Sequence, residues 1–503
     1  MSRSEMEPAP VSSVVERTGL WRVFAHNVRD NVIAEVATQV VRIATMVILA
    51  RSLDPNDFGV FRVLLVISVA VGLINQAGIP DALIQRPELR GEHECTAWWI
   101  TIVLSLTSAG ALYAAAPLIV RLMAMPALDP GIRLLCIPLV MEGAVVTAEA
   151  RLQRQLYFGS IAIASIIAET AFLATALWCV REDYLTLSLP AALAARMAVH
   201  GLTIGIAAGR PAWGAPRWSA GRDLVRFAST AMSAQIVCFL SSNTDYLLIG
   251  RLLGGAALGY YSIAWDLLRF VPGRLHRVAG RVAFPTFCRL QNDDRGLGEA
   301  YLKFFGYIAK VVLPLVACVV VAAPQILSAL YGSKWLPAAE PLRFLGVGLA
   351  LAGLTVGAGS VYYAKNRPAL DLYLHVARLV LLTIACVGFA RFGLRGVSAA
   401  MGAEEAVIGL AGCWLVTRLI GARVNDLLRA ATPGFQLGIA CGVATLVSKT
   451  AAAAMGVNNG LAIALILPAP TAVFFWWEAT NVAEMMRNAF SAISATPSDS
   501  TVG

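Results

Sequence analysis

Three arginines share one face of a predicted helix, because Arg274, Arg277 and Arg281 follow one another at spacings of three and four residues. A guanidinium presents paired N–H donors that match the oxygens of a phosphate group. The stripe therefore predicts binding of a phosphate or pyrophosphate. The alternative is that these side chains lie near the cytoplasmic end of the helix and extend towards the lipid headgroups. Both interpretations stay open.

A second polar face lies in the first apolar segment, where Glu35, Gln39 and Arg42 are about one helical turn apart. An ionisable side chain that faced lipid at the centre of a bilayer would cost at least ~2.5 kcal/mol. We therefore expect these residues to line an interior cavity and to contact substrate. The alternative is that neighbouring charges simply neutralise Glu35 and Arg42.

Four carboxylates within apolar segments are candidates for binding a coupling proton or cation. Glu142 and Glu149 share one helix face at a spacing of seven residues, and Glu169 lies in the next segment. Asp245, close to Asn243, is the carboxylate we would test first for ion coupling. His200 lies four residues after Arg196, and we expect it to be a packing residue.

Signatures of catalysis are missing from the sequence. It contains no phosphate-binding GxxxxGK[ST] loop, no HExxH zinc motif and no GxSxG nucleophile elbow. The acidic run Asn292-Asp293-Asp294 is interpreted as a solvated turn before a helix. The nine cysteines are scattered singly, without a CxxC pair. We therefore expect no enzymatic activity, no metal and no cofactor.

The composition predicts a membrane protein. Of 503 residues, 58% are hydrophobic and 14% are charged, and the mean hydropathy is +0.69. These values exclude a soluble protein, and the apolar runs are too long for the strands of a β-barrel. The fold class is all-α integral membrane, with fourteen predicted spans near 30–50, 61–80, 97–120, 132–150, 158–180, 185–208, 227–250, 258–288, 304–330, 342–363, 370–390, 396–420, 435–453 and 460–479.

Basic residues predict the orientation. With the N-terminus in the cytoplasm, the inside loops hold about twice as many Lys and Arg residues as the outside loops, which predicts that both termini are cytoplasmic. This distribution also accounts for the net charge of +9 without nucleic-acid binding. The predicted domains are a cytoplasmic tail (1–27), an N-lobe of six spans (28–210), a cytoplasmic linker (211–226), a C-lobe of six spans (227–421), two further spans (435–480) and a cytoplasmic C-terminal tail (481–503).

An internal repeat supports this division into lobes. Residues 49–53 and 58–61 match 249–253 and 258–261 at a constant offset, and the segments 116–119 and 133–135 resemble 323–326 and 343–345. Because each copy holds an even number of spans, both enter the membrane in the same direction. The expected arrangement is a parallel repeat about an axis along the membrane normal, plus two C-terminal helices.

The chain resembles the bacterial polysaccharide flippases, which form the polysaccharide transporter branch of the multidrug/oligosaccharidyl-lipid/polysaccharide exporter superfamily. The resemblance covers roughly residues 28–420 and depends on a combination of segments, none of which is specific alone. The segments that carry it are LARSLDPNDFG (49–59), AGIPDALIQR (77–86), NTDYLLIGRLLG (243–254), LGYYS (258–262), RVAFP (281–285) and KWLPAA (334–339).

The resemblance implies a transporter of the bacterial inner membrane. Its helices would surround a central cavity and move an oligosaccharide, usually linked to undecaprenyl pyrophosphate, to the outer leaflet by alternating access. The product would be lipopolysaccharide, capsule or exopolysaccharide. The expected partners are lipid-linked oligosaccharide, membrane lipid, a polysaccharide polymerase and a chain-length regulator.

Two alternatives remain open from the sequence. One is an ion-coupled multidrug or small-molecule antiporter of the same superfamily, which would favour an acidic cavity lined by aromatic residues. The other is a membrane-embedded polysaccharide polymerase or glycosyltransferase, which would carry catalytic carboxylates on a long loop. No predicted loop exceeds roughly 20 residues, which disfavours the second alternative.

Overall fold

The computed structural model describes residues 37–86, 91–184, 187–209, 214–269 and 283–455, with the backbone alone at 218–220 and 223–234. Every regular element in these ranges is helical. The helices are α1 (37–52), α2 (Pro55–Gln76), α3 (Ile79–Gln85), α4 (Gly91–Met123), α5 (Leu128–Arg154), α6 (Phe158–Arg181), α7 (Ser188–Ala208), α8 (Trp218–Leu253), α9 (Gly255–Arg269), α10 (283–289), α11 (Asp294–Val321), α12 (Ala323–Leu330), α13 (Ala339–Ala352), α14 (Ala358–Ala364), α15 (Ala369–Phe389), α16 (Gly393–Ile420) and α17 (Val424–Ala454).

Ten stretches of the described chain are long and apolar enough to cross a bilayer. Two of them each contain two α-helices: Ser333–Ala364 contains α13 and α14, and Ala369–Ile420 contains α15 and α16. The all-helical membrane fold is therefore confirmed. The count of fourteen spans stays a prediction, because the predicted span at 460–479 and parts of those at 30–50 and 258–288 lie outside the described residues.

Two predicted spans are interrupted. The span predicted at 304–330 breaks at Ala322, so that α11 ends at Val321 and α12 begins again with Pro324 in its first turn. The span predicted at 342–363 contains a 3-10 turn and then Gly357, whose φ of 93° is left-handed. Apolar composition continues through both breaks, which is why hydropathy alone did not reveal them.

The predicted acidic turn before α11 is present. The side chain of Asp293 accepts a hydrogen bond of 3.0 Å from the backbone N–H of Gly296. This bond satisfies one of the free donors at the start of the helix. Asp293 therefore begins a helix, and the acidic run is a capping feature.

The chain divides into two compact units, Met1–Phe239 and Leu240–Gly503, which we call the N-unit and the C-unit. In the N-unit, α5 packs on α4 and α7, and α7 packs on α6. In the C-unit, α11 packs on α17, and α16 packs on both α13 and α15. Helix α8 begins at Trp218, within the segment predicted as the linker. The predicted lobe boundaries stay predictions.

Small residues allow a close contact between α13 and α16 in the C-unit. A Cβ atom added at Gly402 on α16 would lie 2.3 Å from the backbone carbonyl oxygen of Phe344 on α13. A methyl carbon at this distance from an oxygen atom would clash with it. Glycine at this position therefore lets the two backbones meet.

Backbone hydrogen bonds repeat between the two units. The N–H of Phe58 donates to the carbonyl of Asp54 (2.9 Å), and that of Leu258 donates to Gly254 (3.2 Å), at an offset of 200 residues. The turn before α5 repeats at an offset of 207, where Leu128 N–H donates to Met125 and Trp335 N–H donates to Gly332, both at 3.1 Å.

A third turn repeats at an offset of 210. Leu156 N–H donates to Gln153 (3.1 Å), and Asn366 N–H donates to Tyr363 (3.0 Å). Leu156 and Asn366 are both left-handed, with φ of 62° and 55°. Each of the three turns in the N-unit thus has a counterpart with the same hydrogen bond in the C-unit, which supports the internal repeat.

Candidate functional site

The N-unit holds a cluster of three charged side chains, Arg42 on α1, Glu169 on α6 and Arg196 on α7, which we call the N-unit cluster. One carboxylate oxygen, Glu169 Oε1, lies 2.5 Å from Arg42 Nη2 and 3.3 Å from Arg196 Nη1. The Glu169 side chain is 7% exposed, whereas Arg42 is 54% exposed. A nearly buried carboxylate therefore holds two guanidiniums that still reach open space.

A cavity of about 310 Å³ lies against this cluster. Its polar lining is rich in hydrogen-bond donors, because two guanidiniums are joined by hydroxyls and an imidazole. The polar and charged lining residues are Thr38, Arg42, Ser165, Glu169, Arg196 and His200. With two arginines against one glutamate, this cavity carries a surplus of positive charge.

A second cavity of about 310 Å³ lies on the other side of Arg196. It is lined by Glu142, which accepts a hydrogen bond of 3.0 Å from Gln76. A Cβ atom at Gly72 would lie 3.1 Å from Glu142 Oε2, so the glycine leaves room for this carboxylate. Arg196 and Met197 line both cavities, and Arg196 is therefore the charged residue that they share.

Glu149 contacts His200. Glu149 Oε2 lies 3.3 Å from His200 Nε2, and Glu149 Oε1 accepts a hydrogen bond of 3.2 Å from Gln153. The predicted shared face of Glu142 and Glu149 thus contacts two different partners on α7 and α2. His200 lines the first cavity and has a carboxylate partner.

The C-unit holds a second charged cluster, Asp245, Arg269, Arg378, Glu404 and Glu405, which we call the C-unit cluster. Arg378 Nη2 contacts Glu405 directly, and Arg378 Nε lies 3.9 Å from Glu404. Arg269 Nη2 lies 3.8 Å from Glu405. The side chains of Glu404 and Glu405 are 2% and 3% exposed. The two glutamates are therefore almost closed from solvent, whereas the Arg269 side chain is 33% exposed.

Several carboxylate oxygens in this cluster accept no hydrogen bond from the described residues. Asp245 Oδ2 accepts a hydrogen bond of 2.8 Å from the hydroxyl of Tyr261. Within the described part of the chain, Asp245 Oδ1 and both oxygens of Glu404 have no hydrogen-bond partner. Three carboxylates face two guanidiniums, so the cluster carries a surplus of negative charge.

The structure brings some predicted site residues together and leaves others apart. Arg42 and Glu169 form an ion pair, and Gln39 is half-buried on the same helix as Arg42. Asp245 lies in the C-unit cluster and is 2% exposed. Glu35 and the arginine stripe Arg274, Arg277 and Arg281 lie outside the described residues.

Sequence reasoning gave no functional role to Arg196 and missed the C-unit residues that surround Asp245. A signal was present in the sequence. Residues 191–202 on α7 (AALAARMAVHGL) match residues 399–410 on α16 (AAMGAEEAVIGL) at a constant offset of 208, with seven of twelve positions identical. In this alignment Arg196 corresponds to Glu404, so the repeat itself points to both residues.

The acidic and basic residues change places between two corresponding helix pairs, which are α6 and α7 in the N-unit and α15 and α16 in the C-unit. In the N-unit the acid, Glu169, lies on the first helix of the pair and the base, Arg196, on the second. In the C-unit the base, Arg378, lies on the first helix and the acid, Glu404, on the second. The repeat has an offset of 210 at the turn before α6 and of 208 on α7. Offsets in this range align Glu169 with a position at or beside Arg378.

Comparisons with known proteins agree with this architecture. A family model described as polysaccharide biosynthesis protein matches residues 48–340. The teichuronic acid biosynthesis protein TuaB of Bacillus subtilis (strain 168) is 25% identical over 75% of this chain and 78% of its own length. The lipopolysaccharide biosynthesis protein WzxC of Escherichia coli (strain K12) is 26% identical over 68% of this chain and 70% of its own length.

Solved structures share the fold. The lipid II flippase MurJ in an inward closed conformation superposes with a TM-score of 0.72, over 91% of this chain and 99% of that chain, at 12% identity. An inward-facing multidrug resistance transporter of the MATE family in the MOP superfamily gives a TM-score of 0.60, over 76% and 94%, at 16% identity. At these identities the similarity shows the fold alone.

Proposed function

Because this chain belongs to the polysaccharide biosynthesis protein family, we propose that it flips a lipid-linked oligosaccharide from the cytoplasmic to the outer leaflet by alternating access. The protein is a multi-pass inner-membrane protein and a transporter, without enzymatic activity. The proposed substrate is linked to undecaprenyl pyrophosphate and serves lipopolysaccharide, capsule or exopolysaccharide synthesis.

The observation that carries this proposal is the N-unit cluster beside its cavity. A glycan and a pyrophosphate cannot cross hydrocarbon without hydrogen-bond partners. Arg42 and Arg196 offer charged donors to a polar space within a unit built from apolar helices. Such a space lowers the barrier for the polar end of the substrate while its prenyl chain stays in lipid.

Roles of individual residues follow from the charges. We assign substrate contact to Arg42, Gln39 and Arg196, and keep Glu35, Arg274, Arg277 and Arg281 as further substrate-binding candidates. Asp245 is the first candidate for ion coupling, because its Oδ1 atom has no hydrogen-bond partner in the described chain. Glu142, Glu149 and Glu169 are the other candidates for ion coupling.

The remaining assignments concern the whole chain. We place both termini in the cytoplasm, from the distribution of Lys and Arg residues. We retain two six-span lobes, residues 28–210 and 227–421, joined by the linker 211–226 and followed by two further spans. A polysaccharide polymerase and a chain-length regulator are the proposed protein partners, since a flipped oligosaccharide has to be polymerised.

A second candidate function is an ion-coupled antiporter of small molecules. The C-unit cluster favours it, because its carboxylates outnumber its guanidiniums, as expected for a site that binds a proton or a cation. The two functions differ in what accumulates when the protein is lost. A missing flippase leaves lipid-linked glycan on the cytoplasmic leaflet, whereas a missing antiporter leaves it unaffected.

The test is a strain that lacks the gene, complemented by variants. Arg196→Gln removes a guanidinium from both cavities, and we expect about tenfold or greater loss of flipping, as for a lost charge-assisted hydrogen bond. Arg196→Lys keeps the charge but not the paired donors, so partial activity is expected. The measurements are the leaflet distribution of lipid-linked glycan in vesicles and the amount of surface polysaccharide.

Arg295→Gln serves as the control, because the Arg295 side chain is 91% exposed and pairs with Glu299 four residues away. Its activity should equal that of the unaltered protein. Normal leaflet distribution and normal surface polysaccharide in the deletion strain would refute the flippase proposal and favour the antiporter. Asp245→Asn in the same strain tests whether flipping requires the proposed ion-coupling carboxylate.

A further inference from the structure

Glu169 is the counter-ion of both arginines in the N-unit cluster. Glu169 Oε1 alone contacts both Arg42 Nη2 and Arg196 Nη1. Arg196 Nε is buried and has no hydrogen-bond partner in the described chain. The two guanidiniums therefore keep unused N–H donors, and one carboxylate balances only half of their charge.

We propose that a phosphate or pyrophosphate group binds between Arg42 and Arg196 by displacing Glu169, and that Glu169 takes up one proton from the solvent as it is displaced. This inference rests on the proposed function, because it assigns the phosphate end of the substrate to the N-unit cluster. The ligand chemistry is a phosphate ester, whether it comes from a lipid-linked glycan or from a phospholipid headgroup.

Displacement is favoured by charge and by geometry. A pyrophosphate diester carries two negative charges and more acceptor oxygens than a carboxylate, and a guanidinium binds such oxygens in pairs. The cavity beside the cluster, at about 310 Å³, has room for the group without movement of a helix. Thr38 and Ser165 add hydroxyl donors to its wall.

Proton uptake follows from burial. Once both guanidiniums bind phosphate, Glu169 is a carboxylate that is 7% exposed and has lost its cations. A buried charge without a partner is expensive, and a carboxylate avoids this cost by taking a proton. The phosphate and the proton thus bind together.

Neighbouring charged groups do not replace the lost cations. His200 on α7 lies on the same cavity, but it is paired with Glu149 on α5. Glu142, also on α5, lines the second cavity on the other side of Arg196 and adds negative charge. On α6 itself the other charged residue is Arg181, the last residue of the helix, twelve positions beyond Glu169.

The test uses purified full-length protein and a soluble probe, a citronellyl-pyrophosphoryl sugar, whose pyrophosphate diester does not titrate near neutral pH. Calorimetric titration in two buffers of different ionisation enthalpy counts the protons bound. We expect about one proton per probe and an affinity that rises up to about tenfold per unit decrease in pH. Absence of proton uptake in the unaltered protein overturns the inference without any variant.

Two variants separate the candidate groups. Glu169→Gln should bind the probe more tightly, take up no proton and lose the pH dependence. His200→Gln should keep the proton uptake, because Glu169 remains. If Glu169→Gln takes up as many protons as the unaltered protein, or if the probe does not bind at all, the inference is wrong.

A final comparison identifies the source of the phosphate. Titration is repeated in nanodiscs of phosphatidylcholine alone and of phosphatidylcholine with phosphatidylglycerol. Competition by phosphatidylglycerol shows that lipid headgroups occupy the site, and its absence shows selectivity for the pyrophosphate. Both results support the phosphate site. Normal flipping in cells without proton uptake would refute this inference and leave the proposed function standing.

Discussion

Two charged clusters lie on corresponding helices of the two units, and they differ in charge and in access. The N-unit cluster has two arginines against one glutamate and borders a cavity. The C-unit cluster has two arginines against three carboxylates, and its Glu404 and Glu405 side chains are almost fully buried. One cluster is therefore suited to an anion that arrives from solvent, and the other to a proton or small cation.

The difference shows what a duplicated helical framework fixes. The turns repeat with the same backbone hydrogen bonds, and α7 and α16 share seven of twelve aligned residues. The sign of the charge at Arg196 and Glu404 does not repeat. Both units thus place an ionisable side chain at this position of the shared backbone pattern, while the sign of its charge differs between them.

The largest expected effect is on stability in the C-unit. Arg378→Gln leaves Glu404, Glu405 and Asp245 without their central cation, and breaking such a buried network costs about 3–5 kcal/mol. The same change at Arg42, which is 54% exposed, should cost much less. Thermal unfolding of the purified variants measures both. Equal losses of stability in the Arg378 and Arg42 variants would contradict the expected difference in burial between the two clusters.

Helix packing gives the next largest effect. Gly402→Ala adds a methyl group 2.3 Å from a backbone oxygen of α13, and we expect a loss of about 1–3 kcal/mol. The N-unit counterpart is Ala194, which already carries this methyl group. Gly205→Ala is the control, because a Cβ atom there has no neighbour within 4 Å, and it should stabilise α7 slightly. A neutral Gly402→Ala would contradict the close contact.

An effect no larger than that of Gly402→Ala concerns the hydroxyl that contacts Asp245. Tyr261→Phe removes the hydrogen bond to Asp245 Oδ2 and should cost about 1–3 kcal/mol. Tyr301→Phe is the matched control, because the buried Tyr301 hydroxyl has no hydrogen-bond partner in the described chain. At the offset of 200 the N-unit carries Thr45 and Phe61 instead of this pair.

The difference between the Asp245–Tyr261 pair and its N-unit counterpart, Thr45 and Phe61, provides a second test of this contact. A double variant, Asp245→Thr with Tyr261→Phe, gives the C-unit the pair of the N-unit and removes the carboxylate together with its donor. We expect it to be more stable than Tyr261→Phe alone when both are measured by thermal unfolding. A double variant that is less stable would mean that Asp245 contributes through Arg269 or Arg378.

Much of the fold could be predicted from the sequence, because long apolar runs have few alternatives in a bilayer. Helices α4 to α7 lie close to the predicted spans, and the repeated segments at 49–61 and 249–261 form the same turn. The breaks at Ala322 and Gly357 could not be predicted, since apolar residues continue on both sides. They depend on helix packing, which hydropathy does not record.

The candidate site was predictable only in part. Composition identifies which charges lie within apolar helices, among them Arg42, Glu169 and Asp245, and their predicted roles in binding and ion coupling stay predictions. It does not identify their partners, because these lie on other helices, 16 to 127 residues away in the chain. The opposite charges of Arg196 and Glu404 at equivalent positions emerge from the alignment of α7 with α16.

The repeated turn at Leu156 and Asn366 has a consequence for work on the purified protein. Both residues adopt the left-handed backbone, which costs leucine more than it costs asparagine. One copy has thus acquired the residue suited to this conformation, and the other has not. In a duplicated chain, each half can therefore suggest stabilising substitutions for the other half, without a comparison with other family members.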